Sequence, residues 1–154
     1  MCGIAGIISP KSFALSLPAL KRMADSLAHR GPDGEGFWIN DISNAGFAHR
    51  RLAIIDLSDE AAQPMHYLDR YTIVYNGEIY NYIELRKELK KAGYHFKTGS
   101  DTEVILAAYD FYKEQCVQYF DGMFAFAIWD DQEQQLFAAR DRFDPATRLD
   151  AWLF

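Results

Sequence analysis

The sequence predicts a layered α+β domain rather than a doubly wound one. Short β-forming runs stand both before and after a pair of helical segments, the links between them are of hairpin type, and no repeat or low-complexity stretch interrupts them. A chain of 154 residues that is 49% apolar and 15% aromatic is long enough for one domain with a sizeable core, and its composition opposes disorder.

Taken in order, residues 2–9 are short, β-branched and apolar, ending at Pro10, which reads as a buried strand that ties the terminus into the core. Leu17, Leu20, Ala24 and Leu27 recur at helical spacing behind Ser16 as N-cap, so a helix runs to about His29, followed by a Gly31-Pro32-Asp33-Gly34 turn. Strands are expected at 37–39 and 45–49, joined by the turn residues 40–44, with 52–55 continuing as extended chain and 57–66 as loop. The β-forming run 71–75 is expected to stop at Asn76-Gly77. A helix with Tyr82, Leu85 and Leu89 on one face follows and closes at Gly93. Thr102 is placed to cap a second helix bearing Ile105, Ala108, Tyr109 and Tyr112, and strands at 123–129 and 136–139 flank a polar turn at 130–135.

A net charge of −6, from 22 acidic and 16 basic side chains spread along the chain, argues against a nucleic-acid or membrane-surface partner and favours a small or zwitterionic one. No apolar run is long enough for a membrane span and the start lacks the basic region of a signal peptide, so a cytoplasmic location is expected, with Cys2 and Cys116 as free thiols.

Cys2 is followed by a small residue, which suits removal of Met1. The cysteine would then carry a free α-amine with a pKa of about 7.7 to 8.0, able to take the thiol proton without a separate histidine. By itself, position 2 fits a small buried apolar residue equally well. Asn76-Gly77-Glu78 follows a strand, where an amide and a backbone N–H can point the same way as two oxyanion donors, although Asn-Gly alone reads equally as a turn. His29, His49, His66 and His95 lack metal-ligand spacing, and these four with Cys116 are read as structural.

Six strings in order carry a resemblance: Cys2-Gly3-Ile4-Ala5-Gly6, His29-Arg30-Gly31-Pro32-Asp33-Gly34, His49-Arg50-Arg51-Leu52-Ala53-Ile54-Ile55-Asp56, Tyr75-Asn76-Gly77-Glu78-Ile79-Tyr80-Asn81, Thr98-Gly99-Ser100-Asp101-Thr102-Glu103 and Asp121-Gly122-Met123-Phe124-Ala125-Phe126-Ala127. Together they resemble the amino-terminal glutaminase domain of asparagine synthetases, across residues 1–143. The resemblance implies a class II glutamine amidotransferase with the N-terminal nucleophile hydrolase fold, a four-layer αββα sandwich of two antiparallel sheets between helical layers. It implies Cys2 as nucleophile and Asn76 and Gly77 as the oxyanion hole. Glu78 and Asp101 would meet the α-ammonium of L-glutamine, and Arg51 its α-carboxylate, a task suited to a bidentate guanidinium. Leu52, Ala53, Ile54 and Ile55 would line the pocket through backbone groups, with Arg30 near the nucleophile. Read singly, Arg51, Glu78 and Asp101 would pass for a strand-end cation and two helix-start acids.

The resemblance stops after Phe143, where the family continues with further sheet and this chain reads residues 144–154 instead. The expectation is an incomplete domain with a non-family tail, arising from a frameshift or gene fragment or belonging to a real short protein. The synthetase domain is absent, and ATP and Mg would belong to it, since no phosphate-binding loop is present. A separate synthetase polypeptide, or self-association through an exposed sheet edge, is then the expected partner. Rival functions are the glutaminase domain of an amidotransferase with another acceptor, and a non-catalytic glutamine-binding or subunit-interaction module.

Overall fold

The structure, a computed structural model, describes residues 2–9, 15–52 and 62–142. Its strands are β1 (Gly3–Ile8), β2 (Gly34–Ile39), β3 (Ala45–Arg51), β4 (Met65–Tyr67), β5 (Tyr71–Ile79), β6 (Gly122–Asp130) and β7 (Gln135–Arg140). Its helices are α1 (Leu17–Ser26), α2 (Tyr82–Lys91) and α3 (Asp101–Tyr112), with 3-10 segments at Ala28–Arg30 and Lys113–Tyr119. Among the described residues the strands form two antiparallel sheets, of order β1-β3-β2 and β4-β5-β6-β7.

The alternation of side chains along each strand builds the layers. On the first sheet Ala48, Ala5, Ile7, Phe37 and Ile39 turn to Leu20 and Ala24 of α1, while Ala45, Phe47, Ile4, Ile8 and Trp38 turn the other way. That second face packs on Val74, Ala127 and Trp129 of the second sheet. The opposite face of the second sheet, with Tyr71, Ile73, Tyr75, Ile79, Phe126 and Ile128, packs on Leu85, Leu89 and residues 104–109 of α2 and α3. The order is helix, sheet, sheet, helices: the αββα sandwich expected from the resemblance.

Several local expectations need correction. β1 is an edge strand and mostly half-buried, because the buried centre of its sheet is β3. α1 ends at Ser26 and the chain tightens into a 3-10 turn to Arg30, while Ser16 stands at the N-cap without a side-chain capping bond. The expected loop at 57–66 contains the start of β4. The cap of α3 is Ser100, whose Oγ accepts the Thr102 N–H at 3.0 Å.

The largest correction is at β5, which passes through Asn76-Gly77 and ends at Ile79 because β6 stays paired with it as far as Gly122. Gly77 adopts φ +151°, and a Cβ there would lie 2.1 Å from the Met123 carbonyl oxygen. Glycine is thus required for close approach of two strands rather than for a turn.

Candidate active site

The predicted site residues on the sheets lie at or near one end of β1, β3 and β5, and β1 and β3 both contact β5. Cys2 lies one step beyond the Gly3–Arg50 pair and is half-buried. Its Sγ accepts the Leu52 N–H at 3.3 Å and lies 3.6 Å from the Leu52 carbonyl oxygen, to which the thiol can donate. Arg30, at the end of the 3-10 turn, donates from Nε to the Cys2 carbonyl at 3.3 Å. Arg51 closes β3; its carbonyl accepts the Asp33 N–H at 2.9 Å, and its charge helps to suppress protonation of His49. Ala53, Ile54 and Ile55 lie outside the described residues.

On β5, Val74, Asn76 and Glu78 share the face toward the first sheet, and Tyr75, Gly77 and Ile79 the face toward the helices. Asn76 is buried, with Oδ1 lacking a hydrogen-bond partner, and Glu78 is half-buried. Asp101 begins α3 and is buried behind this strand: its Oδ2 accepts the Tyr75 hydroxyl at 2.8 Å and the Ile79 N–H at 3.0 Å. Burial pushes its carboxyl up, against the opposing effect of these bonds. The structure therefore brings Cys2, Leu52 and Arg30 into direct contact and sets Asn76 and Glu78 on one strand face. Asp101 reaches the same strand end from the helical side.

Residues that the sequence reading did not single out complete the surroundings. Tyr75 links Asp101 to the strand, and burial first and then the Asp101 carboxylate beside it push its phenol well up. His49, buried between the sheets, hydrogen-bonds the Tyr75 backbone, and Gln63 Oε1 accepts the Tyr75 N–H at 2.6 Å. The alternation of β3 could have placed His49 on the inner face after Phe47, but no local signal marks Gln63. A cavity of about 900 Å³ on the helical side of β4, lined by Tyr67, Tyr94, Lys97 and Phe111, contains none of the predicted site residues. Cys116 is fully buried and burial pushes its thiol up to about 12, so it is a poor nucleophile.

A family model described as a glutamine amidotransferase domain matches residues 1–145. The chain belongs to the glutamine amidotransferase domain family. It is 46% identical over 147 residues to asparagine synthetase (glutamine-hydrolyzing) 1 of Bacillus subtilis (strain 168), covering 93% of this chain and 23% of that protein. It is 43% identical to the putative asparagine synthetase (glutamine-hydrolyzing) 2 of Methanocaldococcus jannaschii, over 92% of this chain and 30% of the relative. It is 37% identical to the amidase chry2 of Gibberella zeae, over 93% and 23%. This glutamine amidotransferase domain thus spans between 23% and 30% of the length of these relatives. In fold it is similar to a solved glutamine phosphoribosylpyrophosphate amidotransferase of Bacillus subtilis, complexed with ADP and GMP, with a TM-score of 0.69, 20% identity, and coverage of 90% of this chain and 37% of that one. That likeness supports the N-terminal nucleophile hydrolase architecture of the amidotransferase domain. Among the described residues no helix is long and apolar enough to cross a membrane.

Proposed function

We propose that this domain hydrolyses the side-chain amide of L-glutamine with Cys2 as nucleophile, as the ammonia-supplying part of an asparagine synthetase-type amidotransferase. The observation that carries the reading is the Cys2 thiol held against the Leu52 main chain, one step beyond the Gly3–Arg50 pair that ends the β1–β3 ladder. Once Met1 is removed, the α-amine of Cys2 takes the thiol proton. Sγ then bonds to the glutamine Cδ, and the carbonyl oxygen becomes an oxyanion that accepts from the Asn76 amide and the Gly77 N–H. As the intermediate collapses, the Cδ–N bond breaks and the ammonium form of the α-amine returns its proton to the departing nitrogen, releasing ammonia. Water attacks the γ-glutamyl thioester, giving glutamate and restoring the thiol.

Arg51 pairs with the substrate α-carboxylate and Glu78 with its α-ammonium, while Asp101 adds negative charge from behind the strand and holds the Ile79 N–H. Leu52 and the residues after it, Ala53, Ile54 and Ile55, offer backbone groups to the pocket, and Arg30 fixes the Cys2 carbonyl. Amide hydrolysis of this kind needs only thiol, amine and water. ATP and Mg are expected of a synthetase domain that activates the acceptor, in the same or a separate polypeptide.

Cys2→Ala should abolish release of glutamate from glutamine while glutamine still raises the melting temperature, since binding stabilises by mass action whether or not chemistry follows. Turnover by Cys2→Ala at the wild-type rate would overturn the assignment. Glutamine binding without turnover in the wild-type chain, with intact mass showing Met1 removed, would point to a binding module instead.

A further inference from the structure

We propose that His49 and Gln63 are positioning residues for the oxyanion hole, gripping the backbone on both sides of the Tyr75 Cα from one strand edge and so fixing Asn76. The proposal rests on the reading of Asn76 as an oxyanion donor.

The argument begins with an incomplete ladder. β4 pairs with β5 only over Tyr71 to Ile73, whereas β6 accompanies β5 along its other side as far as Ile79. Beyond Ile73, main-chain groups of β5 that face the β4 side have no strand partner among the described residues. Tyr75 is only 3% exposed, and a buried peptide group must find a partner elsewhere.

Two side chains supply it. The Tyr75 N–H donates to Gln63 Oε1 at 2.6 Å. The His49 ring also bonds the Tyr75 backbone, and with the N–H committed to Gln63 it is the carbonyl that the imidazole addresses. Nε2 of His49 has no hydrogen-bond partner, which assigns the donor to Nδ1. Two features of sequence bring the pair to this edge. His49 follows Phe47 by two residues on the inner face of β3. Its cross-strand neighbour is Gly36, and a Cβ at Gly36 would lie 2.0 Å from the Gln63 carbonyl oxygen, so only glycine lets the Gln63 backbone pass there. Gln63 then reaches past β2 to the backbone of the same residue that His49 holds.

The consequence lies one residue on. With its N–H and C=O both held, Tyr75 has the peptide groups on either side of it fixed, and the second of these leads into Asn76 and sets where that residue directs its amide. An oxyanion donor works only when aimed before the charge develops. Asp101 pins the same strand from its other face at Ile79, so the strand segment containing Asn76 and Gly77 is held at both ends. A core histidine with no such role would change stability but would not change turnover separately from substrate binding.

The test is steady-state glutaminase kinetics with glutamine-dependent thermal shift on His49→Phe, His49→Asn, His49→Gln, Gln63→Leu and Gln63→Glu. His49→Phe and Gln63→Leu should lower kcat by on the order of 10- to 100-fold with KM and the glutamine shift little changed. Asn places its amide near the Nδ1 position and Gln near Nε2, so His49→Asn should recover most of the lost rate and His49→Gln should not. Gln63→Glu keeps the acceptor and should recover rate likewise. The proposal is overturned if His49→Phe and Gln63→Leu, folded by thermal melting, turn over at the wild-type rate, or if kcat and glutamine affinity fall together without rescue by Asn or Glu. Should His49→Phe fail to fold, Gln63→Leu and the two rescue variants decide the matter. Cys2→Ala is run alongside: its inactivity keeps the amidotransferase reading standing whatever the clamp variants do.

Discussion

His49 shows how one side chain links burial to pH. Burial lowers its pKa to about 4, the bond to the Tyr75 backbone works the other way, and the Arg51 charge adds to the lowering. The imidazole is therefore neutral in the folded chain at pH 7, and in the unfolded chain it takes up a proton near its ordinary value of 6.5. Between those two values the unfolded state binds more protons, so this group costs stability as pH falls from about 6.5 to about 4, and no more below that. A shift of this size corresponds to about 3 kcal/mol in all. Urea denaturation at pH 7.5, 6 and 5 should show the wild-type chain losing stability relative to His49→Asn over this window. Asp101, whose burial-raised carboxyl acts in the opposite sense, is common to both chains and cancels in the difference. Parallel curves would contradict the burial of a neutral ring.

At the scale of elements, the start of α3 is the junction on which Asp101 depends. Ser100 caps it, and Arg86 of α2 ties the preceding turn by donating to the Thr98 carbonyl at 2.8 Å and the Ser100 carbonyl at 2.7 Å, its guanidinium lying over the Phe96 ring. Glu103 adds bonds from the Lys97 and Thr98 N–H groups, each at 2.8 Å. Ser100→Ala should cost about 1 kcal/mol in chemical denaturation, whereas a helix capped by Thr102 would instead be weakened by Thr102→Ala at that residue's own cap bond. A larger loss in glutamine affinity than in stability would show that the cap also aims Asp101.

Why the sequence misled at these junctions is physical. Ser100 and Thr102 are both good caps, and only the fold of the turn decides which hydroxyl meets a free N–H. Asn76-Gly77 is a strong turn signal, yet β6 supplies a partner through Gly122, and the glycine answers a close backbone approach instead. α3 was legible as a helix through Ile105, Ala108, Tyr109 and Tyr112, but the extent of its burial was not, because residues 101–109 are all buried between sheet, α2 and the 3-10 segment. By contrast, the β6–β7 hairpin was legible as two β-forming runs about a polar turn, and the α2 face of Leu85 and Leu89 because helical spacing there matches its burial.

For the whole molecule, the contact between the sheets joins the halves of the site. Cys2 and Arg51 belong to the first sheet, Asn76 and Glu78 to the second, and the layer between them is Phe47, Val74, Ala127 and Trp129 with their neighbours. Phe47 is 1% exposed and lies tilted against Trp38, with ring centroids 5.5 Å apart. Phe47→Ala should cost about 3 to 5 kcal/mol. It should also lower glutaminase activity in the fraction that remains folded, because the residues proposed as nucleophile and oxyanion donors lie on the two sheets that this layer holds together. Loss of stability with unchanged specific activity per folded molecule would mean that the sheets hold their spacing without it.

The sequence by itself determined the order and type of most elements, the layered α+β class and, through six motif strings, the family whose domain model matches residues 1–145. These are local or ordered features: propensity, periodicity and residue identity along the chain. Only the tertiary structure decided that Asn76-Gly77 continues a strand, that Ser100 is the cap, that Asp101 holds the Tyr75 hydroxyl and the Ile79 N–H, and that His49 and Gln63 meet at the Tyr75 backbone. Each of those depends on which groups meet across distant segments, and the need of buried backbone for partners is met by whichever side chain the packing brings within reach.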